Sequence, residues 1–358
     1  MTIHTYPIRS GFDGSRCLVH ARCCRMPGKM IATAQYLDIS GSDLFSGIYM
    51  STSTDGGLTW SEFIPQEGLA PIRENSCLTV GCDATPMYHS KTGKVILLGH
   101  TAQYAPGASS PTGDGRKTFY SVYDPDSDSF GNMKFLTPKL QEFEWGWGNG
   151  SGQSIELDNG DLLIPVYFKN AAGHFSSCAI RCAFNGSELS FLEAGNALTV
   201  SIKRGLYEPS LVSHKGEYYM TMRNDEFGAV AKSTDGLHYT DLQLWKWEDG
   251  SLLDTYNTQQ HWMTLGDELY LVYTRRGAGN DHVFRHRAPL FAARVENMRL
   301  VRETEQAIVP ERGARLGNFG VTQISQNKAL VMAAEWMQPR GCEAYGSDNS
   351  IFLSVIEP

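Results

Sequence analysis

Short apolar runs, separated by turn residues, recur along the whole chain. Six times such a run meets a turn with Gly, Asn or Asp and continues into a second apolar run. The turns fall at Gly28, Gly93, Gly160, Gly216, Gly266 and Asn327. The runs are rich in β-branched and aromatic residues, which is typical of strands, and helical periodicity is scarce. The pattern therefore predicts an all-β protein built from six hairpins.

The spacing of these hairpins predicts how they are arranged. Each interval between turns holds enough residues for four short strands, which is the size of a propeller blade. We therefore expect a six-bladed β-propeller of four-stranded antiparallel blades. An irregular double sandwich is the alternative, but it would not space six hairpins so evenly. Residues 2–8 and 350–356 both read as strands, and their pairing would close the ring and protect an edge. Without a linker or low-complexity tract, residues 1–358 are expected to form one domain.

Charge narrows the choice of partners. The 358 residues include 31 Lys and Arg against 39 Asp and Glu, giving a net charge of −8. This balance argues against a nucleic-acid or anionic-membrane partner, because both need a basic surface. An acidic small molecule stays possible, since a local group of arginines can override the global sign. The chain has no apolar stretch of about 20 residues that could span a bilayer. The first residues do not resemble a signal peptide, so we expect a cytoplasmic location, with a mature secreted fragment as the alternative.

The eight cysteines do not form a recognisable framework. Cys23 and Cys24 are adjacent, and no pair has the CxxC spacing. Neither a disulfide network nor a zinc motif is indicated, and reduced thiols are the simpler interpretation. The sequence thus predicts neither a metal nor another cofactor.

One turn carries a family signature. Residues 53–60 read Ser-Thr-Asp-Gly-Gly-Leu-Thr-Trp, which fits the pattern Ser-x-Asp-x-Gly-x-x-Trp at every specified position. In such a turn Asp55 can accept bonds from backbone N–H groups, Gly57 can take a positive φ, and Trp60 can pack into its blade. An imperfect copy occupies residues 233–239. The motif resembles the Asp box of the sialidase (neuraminidase) superfamily, which indicates the fold strongly and the reaction weakly.

The resemblance implies an exo-acting glycoside hydrolase that releases a terminal acidic, sialic-acid-like sugar from a glycan. Sialidases hold the sugar carboxylate with three arginines, which match a carboxylate bidentately. Arg223 resembles the second of these and Glu208 its glutamate partner. Asp43 lies near the position of the general acid, and Glu335 resembles the late glutamate that supports the first arginine. The remaining candidates for binding the sugar are Arg16 or Arg22, one of Arg275, Arg276 and Arg285, and also Trp147 and Asn318.

One departure from the family keeps other functions open. Sialidases place a tyrosine nucleophile at the start of the last blade's first strand. Here that stretch, residues 317–324, contains Phe319 and no tyrosine. A polysaccharide lyase acting on a uronic acid is the first alternative, with His100 and Tyr104 as the acid–base pair and an arginine neutralising the carboxylate. A non-catalytic glycan-binding propeller, with Trp145 and Trp147 stacking on sugars, is the second.

Overall fold

A computed structural model describes residues 1–74, 76–112, 115–138, 140–143, 146–255 and 257–358. The fold is all-β, and its strands form six antiparallel sheets that succeed one another along the chain as the blades of a propeller. Each of the six predicted turns joins two consecutive antiparallel strands of one blade. The predicted six-bladed propeller is confirmed.

The first two blades contain the longest strands. Counted from the start of the chain, the first strands are β1 (Thr2–Arg9), β2 (Arg16–Met26), β3 (Lys29–Asp38), β4 (Leu44–Ser53), β5 (Ile64–Pro65), β6 (Ile72–Glu74), β7 (Cys77–His89), β8 (Lys94–Tyr104), β9 (Thr118–Asp124), β10 (Ser129–Phe130) and β11 (Lys134–Phe135). Blade one has the order β2-β3-β4-β5, and blade two the order β10-β9-β8-β7-β6 with β11 also pairing β9.

Blades three and four follow the same plan. In blade three the first strand is split into two short segments that both pair the second strand. The strands of these blades are β12 (Trp147–Gly148), β13 (Ile155–Glu156), β14 (Leu162–Lys169), β15 (Phe175–Phe184), β16 (Leu189–Ala194), β17 (Leu198–Thr199), β18 (Tyr207–His214), β19 (Glu217–Arg223), β20 (Gly228–Ser233) and β21 (Thr240–Leu244).

Blades five and six complete the ring, and β1 supplies the outer strand of blade six. Strand β1 pairs antiparallel with β29, as the sequence predicted. The remaining strands are β22 (His261–Leu265), β23 (Glu268–Tyr273), β24 (Leu290–Glu296), β25 (Arg299–Leu300), β26 (Gln306–Val309), β27 (Phe319–Ser325), β28 (Lys328–Ala334) and β29 (Ile351–Glu357). The described residues include five short 3₁₀ turns between strands, at Glu67–Leu69, Gln141–Phe143, Phe284–His286, Arg302–Thr304 and Cys342–Tyr345.

The hydrophobic core is distributed around the ring. Among the described residues, seven clusters of buried apolar side chains each span two neighbouring blades, and two of them lie at the junction between blades six and one. Leu18 of β2 and Leu353 of β29, for example, belong to the same cluster and are fully buried. Because each blade packs on both neighbours, closure at β1 stabilises the whole ring. No helix within the described ranges has the length and apolar character needed to cross a membrane.

The turn at residues 53–60 has the contacts that its sequence predicted. The backbone N–H of Thr59 donates to Asp55 Oδ1 over 3.0 Å, and Gly57 has a φ of 99°. The indole of Trp60 donates to the Gly57 carbonyl over 2.8 Å. Asp235 accepts comparable backbone bonds in the second turn. These carboxylates organise turns, and neither lines the central cavity.

Candidate active site

A cavity of about 490 Å³ opens at one end of the propeller axis. The loops and strand ends of all six blades contribute to its lining. The charged residues among those described are three acids and seven cations: Asp43, Asp83, Glu208, Arg116, Lys169, Arg204, Arg223, Arg285, Arg287 and Arg315. The cavity is therefore far more basic than the chain as a whole.

Backbone bulges bring three of the lining side chains to the axis. The first strands of blades one, two and four shift register near His20, Asp83 and Glu208, which have φ values of 55°, 52° and 49°. A left-handed conformation costs a non-glycine residue about 1–2 kcal/mol. Such strain persists where the surrounding structure holds it, and bulges re-aim side chains next to functional sites. The sequence contained no signal for these bulges.

Arginines dominate the side of the cavity formed by blades four to six. Within the described part of the chain, Arg285, Arg287 and Arg315 form no ion pair with a carboxylate. Arg287 donates to the Asn257 carbonyl and, over 3.4 Å, to Asn318 Oδ1. Arg315 donates to Gln338 over 3.3 Å, and its guanidinium lies 4.4 Å from the ring centre of Trp336. These three guanidinium groups are thus held mainly by neutral acceptors and aromatic rings.

The arginines are close enough to disfavour one another's charge. Burial lowers the pKa of Arg287 well below its usual value, and the charges of Arg223 and Arg315 lower it further. Burial also lowers the pKa of Arg315 to about 10, against the opposing charge of Asp43. A bound anion would relieve this repulsion, and a carboxylate fits guanidinium geometry. Arg287 and Arg315 were absent from the predicted clamp, whereas Arg223 and Arg285 of the predicted set both line the cavity.

Glu208 and Arg223 form the central ion pair of this side. Glu208 Oε1 accepts from Arg223 Nη2 over 2.5 Å, and both side chains are about nine-tenths buried. The Glu208 charge keeps the pKa of Arg223 above its usual value although burial lowers it. Glu208 Oε2 is buried and has no hydrogen-bond partner within the described residues. One oxygen of this carboxylate is thus fixed by the protein, while the other is available to a ligand.

Asp43 lines the cavity, and Tyr104 holds its loop from behind. The Tyr104 hydroxyl donates to the Asp43 carbonyl over 2.5 Å and accepts from the Phe45 N–H over 3.2 Å. Tyr104 itself does not line the cavity and instead faces a second depression beyond this loop. The expected pairing of His100 and Tyr104 across one sugar is therefore corrected. The two residues lie four positions apart on β8, which corresponds to about 13 Å along a strand.

Asp83 lies at the floor of the cavity among partners from three blades. Its Oδ1 accepts from the Ser151 hydroxyl over 2.6 Å and from Arg22 over 3.4 Å. Burial raises the pKa of Asp83, but the adjacent His20 and Arg22 side chains outweigh it and hold this carboxyl below its ordinary value. His100 lies on the other side of the carboxylate, and burial lowers the pKa of this imidazole to about 3. Burial therefore favours the neutral form of His100.

A tyrosine that the sequence analysis missed lines the same cavity. Tyr167, from β14, accepts a hydrogen bond from Arg116 Nη1 over 2.8 Å, and its ring centre lies 6.1 Å from that of His100. Burial raises the pKa of Tyr167, while the Arg116 charge lowers it. Tyr167 ends an apolar run that reads as core, so its pattern gave no indication of a site. Phe319, by contrast, is fully buried against His261, and its neighbour Asn318 lines the cavity.

Several predicted binding residues lie elsewhere for identifiable reasons. Arg22 is buried and bonded to the Phe319 and Ala84 carbonyls as well as to Asp83, so it is not free to clamp a substrate. Arg16 is exposed and pairs with Asp13. Three further residues that were predicted to bind the sugar form ion pairs outside the cavity. They are Arg275 with Glu305, Arg276 with Asp254, and Glu335 with Arg312.

The predicted aromatic platform is also absent from the lining that the structure describes. Trp147 is buried in blade three, where its ring stacks on Phe143 with centroids 4.8 Å apart. Core packing therefore explains Trp147. Trp145 lies outside the described residues.

Comparisons with known proteins agree with this architecture. The structure resembles a Dyadobacter fermentans protein of unknown function, with 14% identity, a TM-score of 0.68 and 99% coverage of both chains. It also resembles the Hadza microbial sialidase, with 14% identity and a TM-score of 0.70, over 99% of this chain and 68% of that one. A Trypanosoma rangeli sialidase in complex with sialic acid matches with 16% identity and a TM-score of 0.66, over 99% of this chain and 56% of that one.

The level of these matches defines what they show. Neither a family model nor a curated protein matches the sequence. At 14–16% identity, the structural similarity establishes a sialidase-like six-bladed propeller. The chain spans 56% of the length of the Trypanosoma rangeli sialidase.

Proposed function

We propose that this protein is a glycoside hydrolase that removes a terminal acidic sugar from a glycan. The observation that carries the proposal is the convergence of Arg223, Arg287 and Arg315 on one cavity in which the last two lack a carboxylate partner among the described residues. Such a group binds the carboxylate of a sugar, because guanidinium pairs bidentately with it. The sialidase-like fold supports the same class of substrate.

Two acids that line the cavity, Asp43 of blade one and Glu208 of blade four, supply the chemistry. Asp43 donates a proton to the glycosidic oxygen as the bond to the anomeric carbon breaks. A water molecule attacks that carbon and gives its proton to Glu208 Oε2, whose partner oxygen is held by Arg223. Within the described residues Glu208 has no tyrosine among its hydrogen-bond partners, so water is the nucleophile in this scheme. The arginines hold the sugar, and the pair Asp43 and Glu208 moves the protons.

The test is a panel of fluorogenic glycosides that carry sialic acid, other 2-keto acids or uronic acids at the end. We expect turnover of at least one acidic glycoside and none of its neutral counterpart. Asp43→Asn and Glu208→Gln should each reduce kcat by at least about 100-fold, as general acid–base catalysis contributes. Asp281→Asn is the control, because this carboxylate is 96% exposed and outside the cavity. Full activity in both site variants would contradict the proposal.

A lyase acting on a uronic acid is the second candidate, and Tyr167 favours it. The arginines would neutralise the carboxylate, the Tyr167 oxygen beside Arg116 would take the C5 proton, and the leaving oxygen would receive a proton from an acid in the cavity. Tyr167 thereby replaces Tyr104 in the predicted pair. Elimination creates a conjugated double bond, so a rise in ultraviolet absorbance on polyuronates identifies a lyase. Hydrolysis produces reducing ends without that absorbance.

A further inference from the structure

The floor of the cavity contains two electron-rich atoms that face each other. Gln35 Nε2 donates to the Ser46 and Gly81 carbonyls over 3.0 and 3.2 Å, which fixes its Oε1 as an acceptor. His20 Nδ1 lies 2.9 Å from that oxygen and must therefore carry the proton. The Nε2 of neutral His20 then presents a lone pair to Asp83 Oδ1, 3.2 Å away.

This contact needs a positive charge. His20 is 97% buried, and its Nε2 has no hydrogen-bond partner within the described residues. Asp83 Oδ1 already accepts from the Ser151 hydroxyl, and that hydroxyl accepts in turn from Gln259 Nε2 over 2.6 Å. Asp83 thus has no hydrogen of its own to place toward the imidazole. Either a second proton on His20 or a cation must balance the two lone pairs.

The neighbouring side chains have the composition and spacing of a metal site. One ligand atom from each of Cys82, Asp83 and His100 lies within 4.8 Å of the other two. His100 Nε2 is 3.8 Å from Asp83 Oδ2, too long for a hydrogen bond. Ligand atoms around a tetrahedral zinc ion lie about 3.3–3.8 Å apart, given metal–ligand bonds of about 2.0–2.3 Å. These three side chains and His20 all line the cavity, which gives an ion a route to the floor.

We infer that the cavity floor binds one Zn²⁺ ion through Asp83, His100 and Cys82, and that the charge of this ion also balances the lone pair of the adjacent His20. Imidazole, thiolate and carboxylate together favour zinc over magnesium or calcium. Cys82 binds as a thiolate and releases its proton to solvent when the ion enters. The inference is independent of the proposed hydrolysis, in which none of these four residues has a role.

Arg22 does not prevent this arrangement. Its guanidinium contacts only Asp83 Oδ1, whereas Oδ2 is the oxygen nearest His100. The other Arg22 donors are occupied by the Phe319 and Ala84 carbonyls and by Gln259. The ion and the guanidinium therefore use different sides of one carboxylate. Sequence spacing could not reveal the site, because its ligands lie on two strands, β7 and β8, and form no linear motif.

The test measures metal directly on the full chain. After treatment with a chelator and its removal, titration with Zn²⁺ should give one equivalent bound per chain. Co²⁺ should bind to the same site and produce a thiolate-to-metal charge-transfer band. Cys82→Ser should abolish that band, and His100→Gln should weaken Zn²⁺ binding by at least about tenfold, the effect usual for altered metal sites. Cys77→Ser, which changes the exposed cysteine, is the matched control and should keep both signals.

Circular dichroism of each variant establishes that it is folded before its metal affinity is compared. Absence of stoichiometric Zn²⁺ binding to the folded wild-type chain overturns the inference. A cobalt spectrum that is unchanged in Cys82→Ser and His100→Gln overturns it as well, because the ion would then lie elsewhere. In the first case, ¹⁵N NMR should show His20 as an imidazolium, which would be the positive charge that the contact requires.

Discussion

The two sides of the central cavity have opposite electrostatic needs. On the side of blades four to six, Arg285, Arg287 and Arg315 lack carboxylate partners within the described chain and repel one another. On the side of blades one and two, an ionised Asp83 faces the lone pair of His20 at 3.2 Å. A bound anion would balance the charge of the arginine side, whereas a cation or a proton would balance that of the Asp83 side.

This difference indicates that one side of the cavity is suited to ligand binding, whereas the other contributes to the stability of the fold. The arginine side is held by neutral acceptors such as the Asn257 carbonyl, so its charge remains available to a ligand. The Asp83 side is tied to Arg22 and Ser151, and its carboxylate is largely committed within the protein. We therefore expect substitutions on the Asp83 side to affect stability first, and those on the arginine side to affect ligand binding first.

The largest effect is expected for Arg22→Met. The change leaves Asp83 buried without its counter-ion, which typically costs about 3–5 kcal/mol of the free energy of unfolding. Chemical denaturation with a chelator present measures the loss without a contribution from metal. Arg16→Met is the control, because that side chain is 55% exposed and its surface pair contributes little. Equal losses in the two variants would show that Asp83 does not depend on Arg22.

The next effect concerns Arg287→Lys. A lysine keeps the positive charge but loses the planar fork, so binding of an acidic sugar should weaken by about 10-fold to 100-fold. The free energy of unfolding should change less than in Arg22→Met. Arg275→Lys serves as the control, because Arg275 pairs with Glu305 outside the cavity. Calorimetric titration with the free acidic sugar gives the affinities, and an unaltered affinity in Arg287→Lys would remove this residue from the site.

A smaller effect is expected for Gly150→Ala. A Cβ atom at residue 150 would lie 2.0 Å from His100 Nδ1, so the imidazole must move from the floor. Overpacking of this kind costs about 1–3 kcal/mol. Zn²⁺ affinity should fall while binding of an acidic sugar is retained. Gly131→Ala is the control, since its added Cβ would meet its nearest neighbour at 3.5 Å. If Gly150→Ala lost sugar binding and kept zinc binding, the functions assigned to the two sides of the cavity would be contradicted.

The smallest effect is a change in acid stability at the cavity rim. Burial raises the pKa of Asp225, but hydrogen bonds from Arg204 and Tyr207 outweigh it and lower the value to about 2. The folded-state pKa lies below the unfolded value of about 3.9, so the stabilisation is complete above pH 4 and is lost as the pH falls toward 2. Asp225→Asn should therefore lose stability at neutral pH and lose less than wild type on acidification. Parallel curves of unfolding free energy against pH would contradict this.

The fold was predictable because its signals are local. Turn residues at Gly28 and its five counterparts mark the hairpins, and the Ser53–Trp60 turn forms from contacts within eight residues. The pair Glu208 and Arg223 was also predictable, since β18 and β19 are consecutive strands that register across one hairpin. Patterns within one hairpin thus describe both its strands and its short-range pairs.

The remainder of the site depends on contacts between blades and on irregular backbone. Arg285 and Arg287 read as alternating positions on a strand, but Phe284–His286 is a 3₁₀ turn in which Arg285 has a φ of 58°. The position of Arg22 on its strand suggests that its side chain lines the cavity. Hydrogen-bond acceptors from blades two, five and six instead hold the guanidinium away from the cavity lining. Tyr167 looks like a core residue until blade two brings Arg116 to its hydroxyl. No single-blade pattern contains this information.

The bulges at His20, Asp83 and Glu208 have an evolutionary consequence. Three blades present equivalent backbone positions to the axis, and each carries a side chain of different chemistry. An exchange at one of these positions changes the charge and the hydrogen-bonding groups at the cavity while the interblade clusters keep their packing. Descendants of one propeller can therefore diversify the lining of this cavity through a few codons, without rebuilding the ring that supports it.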